Sequence, residues 1–328
     1  MEFTPQSFMN KFSVLTLFPE IIEQGLNYSI TGRAIADRLI ELNLINIRDF
    51  AVNKYGQIDD KLYGGGTGML MMPEPILAAW LSIYQKDLQQ FLTQLSEAIK
   101  FLELSKHAET SKYSDTIESL DLIPPSKATE SLEFVRFPKE LILVAWQQKI
   151  KEVSQDRIIY LSPKGKTFNQ QMAQELSQEK HLVFLCGHYE GVDQRILDVL
   201  QVEEVSLGDF VLTGGEPALV VMIDAISRLI PGVLPNMEAH QADSHSAGLL
   251  EEPQYTRPAN WHGIKVPDVL LSGHQANIEN YRKSKSLLET YKKRPDLLQN
   301  RPTSQKNNLS EKLSEEDWLL LIDSLKNN

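Results

Sequence analysis

The sequence predicts an α/β fold with a mainly parallel sheet, followed by a small α-helical C-terminal domain. Three β-type runs support this prediction, because each ends in a turn rich in glycine or proline and is followed by a helical pattern. They are residues 158–161 before "SPKG", 182–186 before "GHYEG" and 210–212 before "TGGE". Ligands of parallel sheets bind beyond the carboxyl ends of the strands, so the three turns together predict a binding pocket.

The N-terminal part of the chain shows the start of the same alternation. "FSVLTLFPE" predicts a strand that stops at Pro19, and the apolar spacing over 30–42 predicts a helix. "DDKLYGGGTGMLMMPEPI" then exposes backbone at three successive glycines and Gly68. The composition changes over 85–155, where a stretch rich in Ser, Thr and charged residues has little apolar periodicity. This composition predicts a flexible insertion.

The C-terminal third follows a different pattern. "EPALVVMIDAISRLI" predicts a helix closed by "PGVL", and "NMEAHQADSHSAGLLEEPQYTRP" has no periodicity and predicts a mobile loop. Helical patterns return in "HQANIENYRKSKSLLETYKKRPDLL" and in "SEEDWLLLIDSLKN", which opens on a Ser314 cap. We therefore expect an N-terminal domain over 1–234, a mobile interdomain loop over 235–248 and a helical domain over 249–328.

Composition narrows the class of protein. Lys and Arg total 33 against 44 Asp and Glu, and the net charge of −11 argues against indiscriminate binding of nucleic acid or anionic membrane. The only cysteine, Cys186, excludes an intrachain disulfide and is expected to be a small buried hydrophobe. The N-terminus has no apolar signal core, and the longest hydrophobic region is interrupted by charges. We expect a cytoplasmic protein without a membrane partner.

Two common chemistries are poorly supported. "GKT" at 165–167 resembles part of a phosphate-binding loop, but Tyr160 stands where that motif requires glycine. With one cysteine and no paired His or Cys spacing, a zinc site has no support either. The sequence predicts no metal-ligating residues.

Carboxylates are dense around the three turns: Glu190, Asp193, Asp209 and Glu216. Singly, each is explained as charge that complements a helix N-terminus. Together with backbone amides freed by glycine, they suit a ligand that carries positive charge and a hydrogen-bonding ring, such as a sulfonium nucleoside. The pattern leaves the identity of the ligand open.

A local reversal of charge lies over 282–301, where seven basic residues stand against two acidic ones. Tyr281 and Tyr291 lie in or beside this run. A solvated helix face explains such a run, and contact with RNA phosphates is the leading functional alternative.

Several motifs, in order, carry a resemblance: "LFPE", "TGRA", "YGGGTGMLM", "YLSPKG", "CGHYEGVDQR", "SLGDFVLTGGE", "SRLIPGVL", "GLLEEPQYTRP" and "VPDVLLSG". Their order and spacing resemble the bacterial tRNA (guanine-N1)-methyltransferases, which belong to the knotted SPOUT superfamily. The resemblance covers the chain outside 85–155 and the last few residues. It implies a deep trefoil knot and a homodimer with its active site at the subunit interface. It also implies methyl transfer from S-adenosylmethionine to N1 of the guanine immediately 3′ of the tRNA anticodon, position 37.

The resemblance also implies roles for individual residues. Asp243 matches the general base, which removes the guanine N1 proton, and Arg228 matches the arginine that orients the guanine and stabilises charge on its O6. Matching positions for cofactor binding are Leu161, Ser162, Pro163, Gly187, Tyr189, Glu190, Gly191, Leu207, Gly208, Asp209, Phe210, Val211, Leu212, Gly214 and Gly215. The family suggests Mg²⁺ dependence, although no residues locate an ion.

Two departures from the family pattern concern histidines. His188 stands where arginine is usual, and His245 follows the "DS" pair where phenylalanine is frequent, which makes His245 a rival general base. Two rival functions also stay open: a non-catalytic RNA-binding protein of the same fold, and a ribose 2′-O-methyltransferase. Asp243, Arg228 and the unbroken set of cofactor-loop glycines argue against the first, and the carboxylate loop argues against the second.

Overall fold

The computed structural model describes residues 10–84, 156–235, 244, 248–299 and 313–326. The predicted insertion over 85–155, as well as Asp243 and His245, lie outside the described residues. The chain divides into two compact units, Met1–Val233 and Leu234–Asn328.

The first unit is built on a five-stranded parallel sheet, which confirms the predicted α/β class. The strand order is β2-β1-β6-β5-β7. The strands are β1 (Asn10–Thr16), β2 (Ile40–Asn46), β5 (Arg157–Thr167), β6 (His181–Cys186) and β7 (Glu203–Ser206). A separate antiparallel ribbon joins β3 (Asp59–Lys61) to β4 (Met69–Met71).

Apolar side chains cover both faces of the sheet. In β6, Phe184 and Cys186 belong to one buried cluster, whereas Val183 and Leu185 belong to the other. This alternation follows from the period of two along a strand, and burial on both faces explains why the run is continuously apolar.

Helices connect the strands. They are α1 (Pro19–Leu26), α2 (Ser29–Ala36), a 3₁₀ turn (Ile47–Phe50), α3 (Pro73–Ile83), α4 (Gln170–Ser177), α5 (Gln194–Leu200) and α6 (Glu216–Ser227). Prolines at the first turns of α1, α3 and α6 fit positions where a backbone N–H has no helical partner.

Two sequence predictions of elements were wrong. The helix predicted over 30–42 ends at Ala36, because Arg38 adopts a left-handed conformation and the chain enters β2 at Ile40. The strand predicted over 210–212 is a loop, and the strand lies earlier, at Glu203–Ser206. The apolar character of 210–212 misled the prediction, because these side chains are exposed rather than paired in the sheet.

The second unit contains a short hairpin, β8 (Asn260–Trp261) with β9 (Ile264–Lys265), and four helices among its described residues. These are α7 (Asp268–Leu271), α8 (Gln275–Lys293), α9 (Asp296–Gln299) and α10 (Glu315–Lys326). The predicted Ser314 cap is confirmed, since its Oγ accepts from the Asp317 amide at 3.1 Å. No helix in the described parts of the chain is both long and apolar enough to span a membrane.

Candidate functional site

The three predicted turns meet at one edge of the sheet. Strands β6, β5 and β7 are neighbours, so the loops that follow their carboxyl ends are adjacent. Between these loops lies a cavity of about 310 Å³. Its lining residues come from 160–164, 187–197, 204–215 and Ala218.

The first wall comes from a bulge inside β5. Leu161 and Lys166 both pair with Val205, so residues 162–165 leave the ladder and return to the same partner. The Ser162 hydroxyl accepts from the Lys164 amide at 3.2 Å and fixes this excursion. Gly165 is needed there, because a Cβ would lie 2.3 Å from the backbone of Val205.

The second wall is the loop over 187–191. Its backbone is bonded to β4: the Glu190 amide donates to the Met69 carbonyl and the Met71 amide to the Gly191 carbonyl, each at 3.0 Å. Tyr189 has φ +57°, a conformation that is unfavourable for a bulky residue. Such a conformation persists only where surrounding contacts enforce it, so this loop is built to one shape.

The third wall is the loop over 207–215. The Gly215 amide donates to the Gly187 carbonyl at 3.2 Å, which joins this loop to the second. Phe210, Val211 and Leu212 are 54%, 85% and 42% exposed. These three consecutive apolar side chains both line the cavity and face solvent.

Fourteen of the fifteen residues predicted to bind cofactor line this one cavity. The exception is Asp209, which is absent from the lining. Arg228 also lies away from the described lining, at the C-terminal end of α6, where its amide donates to the Asp224 carbonyl. Binding of a cofactor by these fourteen residues stays a prediction.

Sequence reasoning missed other lining residues, among them Tyr160, Lys164 and Ser206, which lie in or beside the quoted motifs. A Cβ on Gly187 would lie 2.8 Å from the Tyr160 hydroxyl oxygen, so the two are matched in shape. Burial, followed by the negative charge of Glu204, raises the pKa of Tyr160 to about 12. The phenol at the cavity wall is therefore neutral near pH 7.

The four carboxylates of the turns separate into different roles. Glu190 lines the cavity, whereas Asp193 caps α5 by accepting from the Arg195 amide at 2.9 Å. The Arg195 guanidinium, which hydrogen-bonds to Asp193, lowers the pKa of that carboxyl below its ordinary value. Glu216 is fully buried behind the loop over 187–191. Of the four, only Glu190 lines the cavity, and Glu204 contributes a second carboxylate to the lining.

Glu216 is held by two side chains. Thr16 Oγ1 donates to Glu216 Oε1 at 2.5 Å, and Glu216 Oε2 lies 2.7 Å from His188 Nε2. Cys186 is buried beside them; its burial, and then the charge of Glu216, raise the pKa of the thiol well above its ordinary value. Cys186 is the small buried hydrophobe that its sequence context predicted.

The basic run is partly neutralised in α8 and α9. Arg282 pairs with Glu252 at 3.4 Å and Lys283 with Asp317 at 2.6 Å. Lys293 pairs with Glu289 and Arg294 with Asp296, whereas Lys292 forms no ion pair with a described residue. The positive field of this helix is therefore weaker than its composition suggests.

Within the described ranges, no three His, Cys, Asp or Glu side chains come together as a candidate metal-ligand group.

Fold and cavity define a parallel α/β protein with a cavity at the carboxyl edge of its sheet, lined by glycine-containing loops that follow three adjacent strands. The chain belongs to the tRNA (guanine-1)-methyltransferase family, which confirms the resemblance. The family model described as tRNA (Guanine-1)-methyltransferase TrmD matches residues 10–116 and 138–300.

Relatives of similar length support the assignment. A tRNA (guanine-N(1)-)-methyltransferase of Lachnoclostridium phytofermentans is 41% identical over 295 residues, 90% of this chain and 93% of the relative. Proteins of the same name from Ruminiclostridium cellulolyticum and Exiguobacterium sp. are 42% and 43% identical, over 89% and 88% of this chain and 97% and 92% of the relatives. The family model leaves only 117–137 unmatched inside the chain, which is narrower than the 85–155 set aside on composition.

Proposed function

We propose that the protein transfers the methyl group of S-adenosylmethionine to N1 of the guanine immediately 3′ of the tRNA anticodon. The observation that carries the proposal is the convergence of fourteen predicted cofactor residues on one cavity, in a chain of the tRNA (guanine-1)-methyltransferase family.

The cavity residues fit a sulfonium nucleoside. Gly187, Gly191, Gly214 and Gly215 line the cavity without side chains, which lets a ligand pack closely against the backbone, and the Glu190 carboxylate complements a positive charge. When bound, S-adenosylmethionine supplies an electrophilic methyl group on its sulfonium. The three loops bind and orient that donor, and the apolar side chains at the mouth exclude water from it.

The acceptor chemistry is assigned to two residues outside the cavity lining. Guanine N1 carries a proton at neutral pH, and its removal requires a positioned base. We assign that role to Asp243, with His245 as the rival. Arg228 is assigned to donate to guanine O6, where negative charge develops as the proton leaves.

We further propose that the chain forms a homodimer with the active site at the subunit interface, and that the loops over 162–165, 187–191 and 207–215 belong to a deep trefoil knot. The exposed Phe210, Val211 and Leu212 support the dimer, since a second chain would remove this apolar surface from water. A tRNA substrate fits the predicted cytoplasmic location. Mg²⁺ is retained as a cofactor to be tested, with no ligands assigned.

We propose that the second unit, as well as the first, contacts the tRNA. The basic helix α8 supplies phosphate contacts, and Lys292 is a candidate because it forms neither an ion pair nor a ring contact with a described residue, whereas Lys285 lies over the Tyr281 ring.

The proposal is tested with labelled S-adenosylmethionine and unmodified tRNA transcripts that carry guanine, or adenine in its place, immediately 3′ of the anticodon. We expect labelled 1-methylguanosine from the guanine transcript alone. Labelled 2′-O-methyl nucleosides would identify the ribose-directed enzyme instead. Binding of both ligands without transfer would favour the non-catalytic RNA-binding protein.

A further inference from the structure

A buried hydrogen-bond chain lies behind the loop over 187–191. The Phe18 amide donates to Thr16 Oγ1 at 3.0 Å, and Thr16 Oγ1 donates to Glu216 Oε1 at 2.5 Å. The other carboxylate oxygen, Oε2, lies 2.7 Å from His188 Nε2. Thr16 and Glu216 are both 0% exposed, so the chain links the end of β1 to the loop after β6 through the protein interior.

A fully buried carboxylate is costly unless its oxygens are satisfied. Here each oxygen has one partner, and the side chain stands at the first turn of α6, where the helix dipole favours negative charge. Removal of either partner would leave an unpaired acceptor in the interior. The arrangement therefore holds His188 firmly at one place.

The neighbouring loop is shaped to admit this pair. A Cβ on Gly214 would lie 2.4 Å from His188 Cε1 and 2.8 Å from Glu216 Oε2. Such contacts are far shorter than van der Waals separations, so residue 214 is small because the pair occupies the space beside it.

Of the three side chains in this hydrogen-bond chain, that of His188 connects the buried carboxylate to the cavity. It lines the cavity, and its ring packs edge-on against Tyr189 at 6.4 Å and Phe18 at 4.9 Å between centroids. The adjacent Tyr189 is held at φ +57°. The pair with Glu216 thus fixes a loop whose conformation is unfavourable without support.

We propose that Thr16 and Glu216 are positioning residues that act through His188 to preset the loop over 187–191 for the methyl donor. The inference rests on the proposed function. Loss of the hydrogen bond between His188 and Glu216 should weaken binding of the methyl donor, and should not affect removal of the guanine proton. Loss of the pair frees the loop, so the binding free energy must then include the cost of ordering it.

The test compares His188→Leu, which removes the donor to Glu216, with His188→Gln, which keeps a side-chain N–H for it. Glu216→Gln is the partner variant, and His181→Gln, at the opposite edge of the sheet, is the control. For each full-length protein, Kd for S-adenosylmethionine is measured by calorimetry, and kcat and KM are measured with tRNA. A thermal melt of each variant establishes that it is folded.

We expect His188→Leu and Glu216→Gln to raise Kd and KM for the donor by about tenfold or more, the scale of one lost hydrogen bond to a charged group, with kcat at saturation within about threefold. His188→Gln should recover most of the affinity, and His181→Gln should bind the donor as the wild type does. If Glu216→Gln does not fold, the His188 pair of variants decides alone.

Unchanged donor affinity in His188→Leu would overturn the inference, as would a fall in kcat with KM unaltered. Equal losses in His188→Gln and His188→Leu would also overturn it, because the hydrogen bond to Glu216 would then be irrelevant. Failure of the proposed function looks different: the wild-type protein itself would bind the donor without methylating tRNA, or would not bind it.

Discussion

Strand β6 has a histidine–carboxylate pair at each end. His181, its first residue, lies with Nδ1 2.8 Å from Asp156 Oδ2, and His188, two residues past its last, lies with Nε2 2.7 Å from Glu216 Oε2. The two histidine side chains are almost equally exposed, at 16% and 15%. Their chemistry is alike, but their surroundings are not.

The amino-edge pair belongs to a closed network. His181 Nε2 lies 2.9 Å from Ser13 Oγ, and Asn43 Nδ2 donates to the same Ser13 oxygen at 3.2 Å. The Tyr84 hydroxyl donates to Asp156 Oδ2 at 2.6 Å. Both ring nitrogens of this histidine are therefore used by the protein, and the network links the first residue of β6 to the middle of β1 and of β2.

By contrast, the pair at the carboxyl edge, His188 with Glu216, lies beside a cavity. His188 stands in a glycine-rich loop, lines a cavity and uses one ring nitrogen for Glu216. The difference teaches that a histidine–carboxylate pair is not itself a sign of function. What distinguishes the site is the space around the pair, and glycine creates that space at Gly187 and Gly214.

The amino edge is also where the chain departs for residues 85–155 and returns. Tyr84 and Asp156 are the described residues on either side of that stretch, and their side chains are bonded. Tyr84 and Asp156 therefore lie side by side at the amino edge of the sheet, at the other end of the strands from the cavity.

The largest expected effect concerns removal of the guanine N1 proton, a step that we assign to neither histidine–carboxylate pair. Asp243→Asn should lower kcat for methyl transfer by about 10²-fold or more, because amides are poor bases, and should leave Kd for S-adenosylmethionine unchanged. Single-turnover transfer and calorimetry measure the two quantities. His245→Gln is the matched control, and near-normal turnover in Asp243→Asn would move the role of base to His245.

The next largest effect is expected from a substitution that fills the space beside the His188–Glu216 pair. Gly214→Ala should raise Kd for the donor by about 10- to 100-fold, since the added methyl would overlap His188 and Glu216. The double variant with His188→Ala should lose less affinity for the donor than the sum of the two single losses, because the overlap with His188 is then relieved and only that with Glu216 remains. Additive losses in calorimetry would show that Gly214 and His188 act independently.

The closed pair should affect stability alone. Asp156→Asn and His181→Leu should each lower the free energy of unfolding of the first unit by about 1–3 kcal/mol, the scale of a disrupted buried network, with donor Kd unchanged. Chemical denaturation and calorimetry on the same samples test this. A tenfold loss of donor affinity in either variant would remove the distinction between the two edges.

The same pair predicts a pH dependence of stability. Burial alone would raise the pKa of Asp156, but hydrogen bonds from His181 and Tyr84 lower it below the ordinary 3.8. Because the folded pKa is depressed, the stabilisation is present above about pH 4 and is lost as pH falls through the folded value. Melting temperatures of wild type and Asp156→Asn should therefore converge below pH 4, and a constant gap would argue against ionised Asp156.

The smallest effect concerns the basic helix. Lys292→Gln should weaken tRNA binding a few-fold and reduce the slope of log Kd against log salt by about 0.7–0.9, the contribution of one phosphate contact. Lys180→Gln, an exposed lysine outside the basic run, is the control. An unchanged slope in Lys292→Gln would mean that this lysine is merely solvated.

The sequence predicted the position of the cavity better than it predicted the bounds of the helices and strands, and the roles of the cavity residues stay a prediction. Motifs at Leu161, Gly187 and Gly214 located the cavity because glycine and turn residues mark places where backbone must approach a ligand. The strand expected over 210–212 failed, because exposed apolar residues and buried ones look alike in a single sequence.

The pair behind the loop was beyond the reach of sequence patterns. Glu216 is 28 positions from His188 and 200 from Thr16, and only the parallel sheet brings the three together. In the sequence alone, Glu216 has the pattern of a helix N-terminal charge or of part of an acidic pocket, and His188 that of a departure from a motif. Tertiary contacts of this separation leave no periodic signal.

The central claim, that the carboxyl edge is the donor site and the amino edge is structural, is tested most directly by hydrogen–deuterium exchange with and without S-adenosylmethionine. We predict that the donor slows amide exchange in 161–164, 187–191 and 207–215 and leaves the segments around Asp156 and His181 unchanged. Protection at the amino edge, or none at the three loops under saturating donor, would contradict the account.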